Sequence, residues 1–154
     1  MNNSNTILKE DSIKYKILNE VINIKDYLEE QINEEYLCNN CKFLMREPYQ
    51  TECEHSFCLD CVKNIKECPI DQEKISNFII RKAQKNKIQN LMINCPINKD
   101  KCLWKDKLME LEIHMENCNY KQISCPNNCG EFLIKKEILT LGNLNKKIFL
   151  INSV

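Results

Sequence analysis

The sequence predicts small α+β modules in series rather than one ordinary domain, and three observations carry that prediction. Both histidines and nine of the eleven cysteines recur at short, regular spacings. A module of roughly 35 residues buries too little apolar surface to fold alone, so cross-links or bound ions must hold it together. Eleven cysteines would leave one thiol unpaired in a disulfide framework, which favours metal ions over disulfides as the cross-links.

The spaced residues form complete sets of four metal ligands. Structural zinc takes four tetrahedral ligands drawn from thiolate, imidazole and carboxylate groups. A first block supplies eight candidate ligands, which are Cys38, Cys41, Cys53, His55, Cys58, Cys61, Cys68 and Asp71. A second block supplies four more, which are Cys95, Cys102, His114 and Cys118. We therefore expect about three zinc ions per chain, each structural because four protein ligands leave no open position for water.

Asp71 is the one oxygen ligand in these sets. Its spacing from Cys68 mirrors the Cys-x2-Cys pairs, so we interpret it as a ligand rather than as a helix cap or a surface acid. Two pairings of the first eight ligands fit the spacing. In the sequential pairing the first four ligands hold one ion. In the interleaved pairing the two Cys-x2-Cys pairs share one ion and the other four ligands hold the second. Spacing alone leaves both pairings open.

An amphipathic helix is predicted over residues 13–35, after a polar, disordered segment at 1–12. The stretch contains no Pro or Gly, and Ser12 is placed to cap its N-terminus. Its aliphatic residues recur at three- and four-residue steps, which places them in one apolar stripe along a helix. They are Ile13, Ile17, Val21, Ile24, Leu28 and Ile32. The stripe needs a partner, which is either the next module or a second copy of the chain in a short coiled coil.

Two further helices are predicted beyond the first ligand block. One is a polar helical linker over 76–92, which joins the two blocks. The other covers residues 105–116 and delivers His114 to its ion.

Composition argues against several classes of function. The 22 basic and 22 acidic residues give a formal net charge of zero. The densest basic patch, at 81–87, is typical of a solvated helix face. Nucleic-acid binding is therefore not expected. No apolar run is long enough to span a bilayer, so membrane insertion is not expected. Residues 1–16 lack the apolar centre of a secretory signal, and thiolate ligands suit a reducing compartment, so we expect a cytoplasmic protein.

The first block resembles a RING finger, in particular the variant whose last ligand is aspartate. The run EHSFCLDC at Glu54–Cys61 is similar to the centre of that family's motif, and CPID at Cys68–Asp71 is similar to its closing knuckle. The resemblance implies a cross-brace domain over 36–75 with the interleaved pairing of ligands. It also implies that Phe57 packs in the core between the two ions.

The second block resembles a TRAF-type zinc finger over 93–120. Cys95-Pro96 opens it, Trp104 lies just after its second cysteine, and the spacing from His114 to the last cysteine closes it. A RING finger, a helical linker and such a finger, in that order, are the N-terminal half of TRAF-family proteins. The resemblance covers about residues 36–135.

The family pattern breaks off after this finger. Cys125-Pro-Asn-Asn-Cys129 begins another finger, but neither histidine nor cysteine follows it. Residues 121–154 are therefore expected to hold an incomplete second finger and a tail. The family's C-terminal receptor-binding β-sandwich and the coiled coil before it are not expected in this chain.

By resemblance, the leading hypothesis is a RING-type ubiquitin ligase in TRAF-like signalling. Such a ligase forms no covalent intermediate and uses no catalytic side chain. It holds a ubiquitin-charged conjugating enzyme so that a lysine of a protein substrate attacks the thioester, which is catalysis by proximity. The contacts to that enzyme are expected at Asn40, Lys42, Phe43, Leu44 and Pro69. Asn40 and Lys42 are polar where the family carries aliphatic residues. That departure favours the alternative, a non-catalytic adaptor that scaffolds a signalling receptor complex.

Overall fold

The computed structural model describes residues 12–17, 20–124 and 132–137. Short strands, short α-helices and 3-10 turns alternate along these residues. The strands are β1 (Lys14–Ile17), β2 (Glu20–Asn23), β3 (Pro48–Thr51), β4 (Ser56–Cys58), β5 (Phe78–Ile80), β6 (Met92–Asn94), β7 (Lys105–Lys107), β8 (Gln122–Ser124) and β9 (Phe132–Ile134). The α-helices are α1 (Leu59–Asn64), α2 (Lys82–Gln89) and α3 (Leu111–Asn117), and the 3-10 turns are Lys25–Tyr27, Glu34–Tyr36 and Leu108–Glu110.

The N-terminal segment is a β-hairpin followed by two 3-10 turns, so the amphipathic helix predicted over 13–35 is wrong. β1 pairs antiparallel with β2. Ile13, Tyr15 and Ile17 are buried while the two lysines between them are exposed, which is the two-residue period of a half-buried strand. The three- and four-residue steps that suggested a helix ignored this alternation. β-branched and aromatic residues also favour the strand.

The N-terminal segment packs against both ligand blocks of the same chain. Tyr15 forms an isolated bridge with Leu44 of the first block, and Leu28 forms one with Ile93 of the second. Ile24, between these two contacts, is fully buried. The apolar residues of this segment therefore find their partner in the neighbouring modules. The alternative of a coiled coil with a second copy is wrong as well, because the helix it needs does not form.

The first block folds as a three-stranded sheet with one helix. Its strand order is β4-β3-β5, and Tyr49 of β3 pairs with Phe57 on one side and Ile80 on the other. α1 follows β4 directly. Because β5 belongs to this sheet, the linker predicted as helical over 76–92 is helical only in α2.

α2 is anchored to the segments beside it. The Gln84 side-chain amide donates to the Glu35 carbonyl oxygen at 2.6 Å, and Lys85 forms an ion pair with Glu47. Ile88 of the same helix is fully buried. The helix therefore packs against the first block and the N-terminal segment instead of crossing solvent between modules.

The second block is a β-hairpin followed by a helix. β6 pairs antiparallel with β7, and a 3-10 turn leads into α3. The helix predicted over 105–116 therefore starts late, because its first three residues are strand. β8 and β9 form another antiparallel hairpin after α3. Cys125 and Cys129, expected to begin an incomplete finger, lie outside the described residues, as do residues 1–11.

Within the described residues, one hydrophobic core joins the N-terminal segment to both blocks. Its buried members are Ile13, Tyr15, Ile17, Ile24, Ile32, Leu37, Cys38, Leu44, Met45, Phe57, Val62, Cys68, Ile88, Leu91, Ile93, Leu108 and Leu111. Arg46 of the first block also donates to the Glu112 carboxylate of α3 at 2.6 Å. The modules therefore bury surface against one another rather than lying apart along the chain. None of the described helices has the length and apolar character needed to cross a membrane.

Candidate metal centres

The first knuckle is a tight backbone turn that presents Cys38 and Cys41. The Lys42 N–H donates to the Cys38 carbonyl oxygen, and the Cys38 N–H donates to the Phe43 carbonyl oxygen, each at 2.9 Å. Lys42 adopts a positive φ of 60°, which closes the turn. The two sulfurs lie on the same side of the turn, where β4 and α1 supply the other two ligands of the first set.

The first set joins both Cys-x2-Cys pairs. The ligand atoms of Cys38, Cys41, Cys58 and Cys61 all lie within 4.8 Å of one another. The Cys41 and Cys58 sulfurs are 3.9 Å apart, and the Cys58 N–H donates to the Cys38 sulfur at 3.4 Å. This grouping is the interleaved arrangement. It brings together residues that are 20 positions apart in the chain.

The second knuckle repeats the first with aspartate in place of the second cysteine. The Gln72 N–H donates to the Cys68 carbonyl oxygen, and the Cys68 N–H donates to the Glu73 carbonyl oxygen, each at 2.8 Å. Gln72 has a positive φ of 64°, like Lys42. The carboxylate of Asp71 therefore occupies the place that a sulfur occupies in the first knuckle. This equivalence supports Asp71 as a ligand rather than as a cap.

The second set combines this knuckle with the turn between β3 and β4. The ligand atoms of Cys53, His55, Cys68 and Asp71 lie within 4.8 Å of one another. His55 Nδ1 is 3.4 Å from the Cys68 sulfur and 3.0 Å from Asp71 Oδ2. The Glu73 N–H donates to the other oxygen of Asp71 at 3.1 Å and holds the pKa of that carboxyl below its usual range. One oxygen is thus oriented by the backbone, and the other faces the site.

The third set lies in the second block. The ligand atoms of Cys95, Cys102, His114 and Cys118 lie within 4.8 Å of one another. The Cys118 sulfur is 3.8 Å from those of both Cys95 and Cys102, and His114 Nε2 is 3.7 Å from the Cys102 sulfur. Burial lowers the pKa of His114, which favours the neutral imidazole that binds metal. α3 delivers this imidazole from one helical face.

The distances fit tetrahedral zinc. Zn–S bonds of about 2.3 Å and Zn–N bonds of about 2.0 Å place two sulfurs about 3.8 Å apart and a sulfur and a nitrogen about 3.5 Å apart. The observed separations between sulfurs are 3.8 to 3.9 Å, and those between sulfur and nitrogen are 3.4 to 3.7 Å. The expectation of three sites that could each hold a zinc ion is confirmed. Bound zinc would cross-link segments that are distant in sequence, so its binding would contribute directly to folding.

Three thiols of the first set have shifted pKa values. The hydrogen bond from the Cys58 thiol lowers the pKa of Cys38, and the same hydrogen bond raises the pKa of Cys58. Burial raises the pKa of Cys41. These shifts favour the thiolate at Cys38 and the protonated thiol at Cys58 and Cys41, because several thiolates in a small volume repel one another. A bound divalent cation would remove this repulsion and would let all four sulfurs bind it as thiolates.

The residues predicted to contact a conjugating enzyme differ in exposure. Asn40, Lys42 and Pro69 are exposed, and Phe43 is half-buried. Leu44 is only 3% exposed, because it lies beneath β1, whose Lys14 carbonyl accepts a hydrogen bond from the Leu44 N–H. Its prediction as a partner contact is therefore wrong, since its side chain belongs to the core.

Sequence reasoning missed two contacts at these sites. Trp104 stacks on the His114 imidazole, with 4.0 Å between ring centroids and 5° between ring planes. The Asn40 side-chain amide donates to the Cys61 sulfur at 3.3 Å. The short spacing from Cys102 to Trp104 hinted at the first contact. Nothing in the spacing of the cysteines indicated the second, because it joins a knuckle to a helix that follows about 20 residues later.

Known proteins resemble most of this chain. No protein-family model matches it. It is 30% identical over 118 residues to TNF receptor-associated factor 5 of Mus musculus and, equally, to the Homo sapiens protein of that name, covering 71% of this chain and 21% of each relative. It is 34% identical over 102 residues to TNF receptor-associated factor 6 of Bos taurus, covering 62% of this chain and 18% of that protein. The chain thus spans about a fifth of the length of the curated relatives it matches.

Proposed function

This chain is a homologue of the TNF receptor-associated factors over 62 to 71% of its length, and from that premise we propose that it is a RING-type ubiquitin ligase in TRAF-like signalling. It would bind a ubiquitin-charged conjugating enzyme and present the thioester to a lysine of a protein substrate. The observation that carries this proposal is the interleaving of the first two ligand sets. That arrangement is what the resemblance to RING fingers implied for the first block.

A non-covalent mechanism fits the chemistry of the cysteines. All nine cysteines in the described residues are free thiols, and each belongs to one of the three ligand sets. A cysteine that binds structural zinc is not available as a nucleophile for ubiquitin. The proposed catalysis is therefore positioning of two bound reactants, which raises their effective concentration. The zinc ions would hold the docking surface rigid and take no part in the transfer.

The proposed docking surface is centred on the two knuckles. Phe43 follows the first knuckle and Pro69 lies inside the second, and each has accessible apolar surface. Ile70, next to Pro69, is 51% exposed and adds apolar area that sequence reasoning did not include. Lys42 and Asn40 would lie at the same surface as polar residues. Replacing a large apolar contact weakens such an interface by roughly 1–2 kcal/mol.

A reconstituted ubiquitination assay tests the ligase. The zinc-loaded chain would be mixed with activating enzyme, a panel of conjugating enzymes, ubiquitin and ATP. We expect ubiquitin chains with at least one conjugating enzyme, and their loss in Cys53→Ala, which removes a ligand of the second set. Absence of chains with every conjugating enzyme, in protein shown to hold three zinc ions, would refute the ligase.

Surface variants separate docking from folding. Phe43→Ala and Pro69→Ala should each reduce chain formation roughly tenfold while the zinc content stays unchanged. Ile79→Ala is the matched control, because Ile79 is a large apolar side chain that is 65% exposed on β5. Equal activity in all three variants would show that the conjugating enzyme docks elsewhere.

The second candidate function is a non-catalytic adaptor. One observation favours it: the Asn40 amide is engaged with the Cys61 sulfur, at a position where RING ligases carry an aliphatic contact. In this case the zinc modules would present a rigid surface to other signalling proteins. A zinc-loaded protein without ligase activity that still binds a receptor complex would support the adaptor.

The partners and the compartment follow from the same premise. The relatives are named for association with TNF receptors, and we propose a comparable receptor complex as the partner of this chain. The nine free thiols of the described residues suit the reducing environment of the cytoplasm, which we propose as the compartment of this protein. Co-purification from cytoplasmic extract with a receptor tail would support this assignment. Recovery only from an oxidising compartment would contradict it.

A further inference from the structure

The Asn40 side chain connects the first knuckle to α1. Its Nδ2 donates to the Cys61 sulfur at 3.3 Å. We propose that Asn40 is a positioning residue of the first metal set, which holds the Cys61 thiolate and shields it from electrophiles and from loss of zinc. This role goes beyond the proposed ligase and does not depend on it, because it concerns only the retention of zinc.

The two neighbouring asparagines of the knuckle have different partners. The Asn39 amide donates to the Ser56 carbonyl oxygen at 3.1 Å, so it ties the knuckle to the backbone of β4. Only the Asn40 amide, of these two, reaches a sulfur of the set. In the second knuckle the equivalent position is Ile70, whose side chain has no hydrogen-bond donor. The amide donor to sulfur is therefore a feature of the first knuckle and not of the knuckle turn as such; in the second set the Thr51 hydroxyl, outside the knuckle, lies 3.1 Å from the Cys53 sulfur.

The charge of the first set explains why a donor is useful there. Four thiolates and one zinc ion carry a formal charge of −2, since the ligands of this set are all cysteines. The second and third sets carry −1 each, because a neutral imidazole replaces one anionic ligand. The first set thus holds the largest excess of negative charge. The Asn40 amide, which donates a hydrogen bond to a sulfur, lies at that set.

A hydrogen bond to a metal-bound thiolate reduces the electron density available at sulfur. The thiolate is then a weaker nucleophile toward electrophiles, and its bond to the metal keeps its orientation. Cys61 is half-buried rather than fully enclosed, which leaves the residue open to small reagents. The exposed Asn40 side chain contacts its sulfur through the amide hydrogen bond. Protection of Cys61 therefore acts through this hydrogen bond.

The test measures zinc release and thiol modification in the zinc-loaded full chain. Asn40→Leu keeps a side chain of similar size and removes the donor. Asn40→Asp keeps the shape and adds negative charge beside the sulfur. We expect Asn40→Leu to release zinc to a chromophoric chelator about 10-fold faster, and Asn40→Asp to release it faster still. N-ethylmaleimide labelling, read at each cysteine by mass spectrometry, should accelerate first at Cys61.

Matched controls make the outcome decisive. Ile70→Leu, at the equivalent place in the second knuckle, should leave Cys61 labelling unchanged. If either Asn40 variant binds fewer than three zinc ions, selective labelling of the first set would still support the role. Unchanged rates at Cys61 in both variants would overturn the proposal. Equal acceleration at the cysteines of all three sets would also overturn it, because that pattern reports general unfolding.

Discussion

The indole of Trp104 lies flat against the imidazole of His114, with 4.0 Å between the ring centroids and 5° between the planes. This stack restricts rotation of the imidazole and keeps Nε2 directed toward the Cys102 sulfur, 3.7 Å away. The Cys95 N–H donates to the Trp104 carbonyl oxygen at 3.1 Å, so the same residue also holds the backbone of another ligand. Trp104 therefore organises two ligands of the third set without binding the metal.

Replacing Trp104 should weaken zinc binding at the third set alone. Trp104→Ala removes the ring that orients His114, and loss of a group that orients a metal ligand lowers metal affinity by roughly 10-fold or more. Chelator competition with metal counting would measure this. Leu103→Ala is the control, because Leu103 is 92% exposed and should tolerate truncation. Equal affinities in the two variants would show that the stack does not support this site.

Substitutions of Asp71 should report directly on the second set. Asp71→Ala should lower the zinc content from three ions to two, because the carboxylate oxygen that faces His55 is lost. Asp71→Cys should keep three ions, since the second knuckle has the backbone of a Cys-x2-Cys turn. Asp60→Ala serves as the control acid, as Asp60 pairs with Lys16 at the surface. Three tightly held ions in Asp71→Ala would show that Asp71 is not a ligand.

Glycine at Lys42 should stabilise the protein. Lys42 has a φ of 60°, a left-handed conformation that is unfavourable for any residue with a Cβ. Lys42→Gly should therefore raise the free energy of unfolding by about 0.5–1 kcal/mol, measured as a higher urea midpoint in excess zinc. Lys87→Gly, in α2, should lower it by about 1 kcal/mol. A loss of stability in both variants would mean that the knuckle is not strained at Lys42.

The N-terminal segment should be part of the cooperative core. Ile24 is fully buried, so Ile24→Ala should destabilise the protein by roughly 2–5 kcal/mol. Val21, in β2 of the same N-terminal segment, is 51% exposed, and Val21→Ala should change stability by no more than about 0.5 kcal/mol. Denaturant unfolding of the zinc-loaded protein compares the two. Similar small effects would indicate that the segment does not pack against the core.

The ligand sets could be predicted from the sequence because metal ligation is a local chemical constraint. Cys-x2-Cys and Cys-x2-Asp spacings bring two ligand atoms out of one turn, whatever surrounds that turn. Five cysteines and Asp71 obey these two spacings, and the remaining ligands follow as Cys53-x-His55, Cys95-x6-Cys102 and His114-x3-Cys118, so the number of sites follows from the ligand types and their order along the chain. The pairing of the knuckles does not follow from the ligand types and their order, because it depends on which turns come together across the sheet.

The N-terminal segment shows why local patterns can mislead. Its aliphatic spacing fits a helix, while the alternation around Tyr15 fits a strand, and isolated periodicity does not choose between them. The choice is made by the bridge from Tyr15 to Leu44 and the burial of Ile24 against the core. The same packing buries Leu44, which the sequence alone placed at a partner surface.

The amino-acid sequence by itself determined the zinc chemistry, the twelve candidate ligands and their grouping into modules. Ligand identity is a property of the side chains themselves, and short spacings survive in any fold. Only the tertiary structure decided how the modules share one core, which knuckle residues reach solvent, and which amide reaches the Cys61 sulfur. These properties depend on contacts between residues far apart in the chain, and no local spacing encodes them.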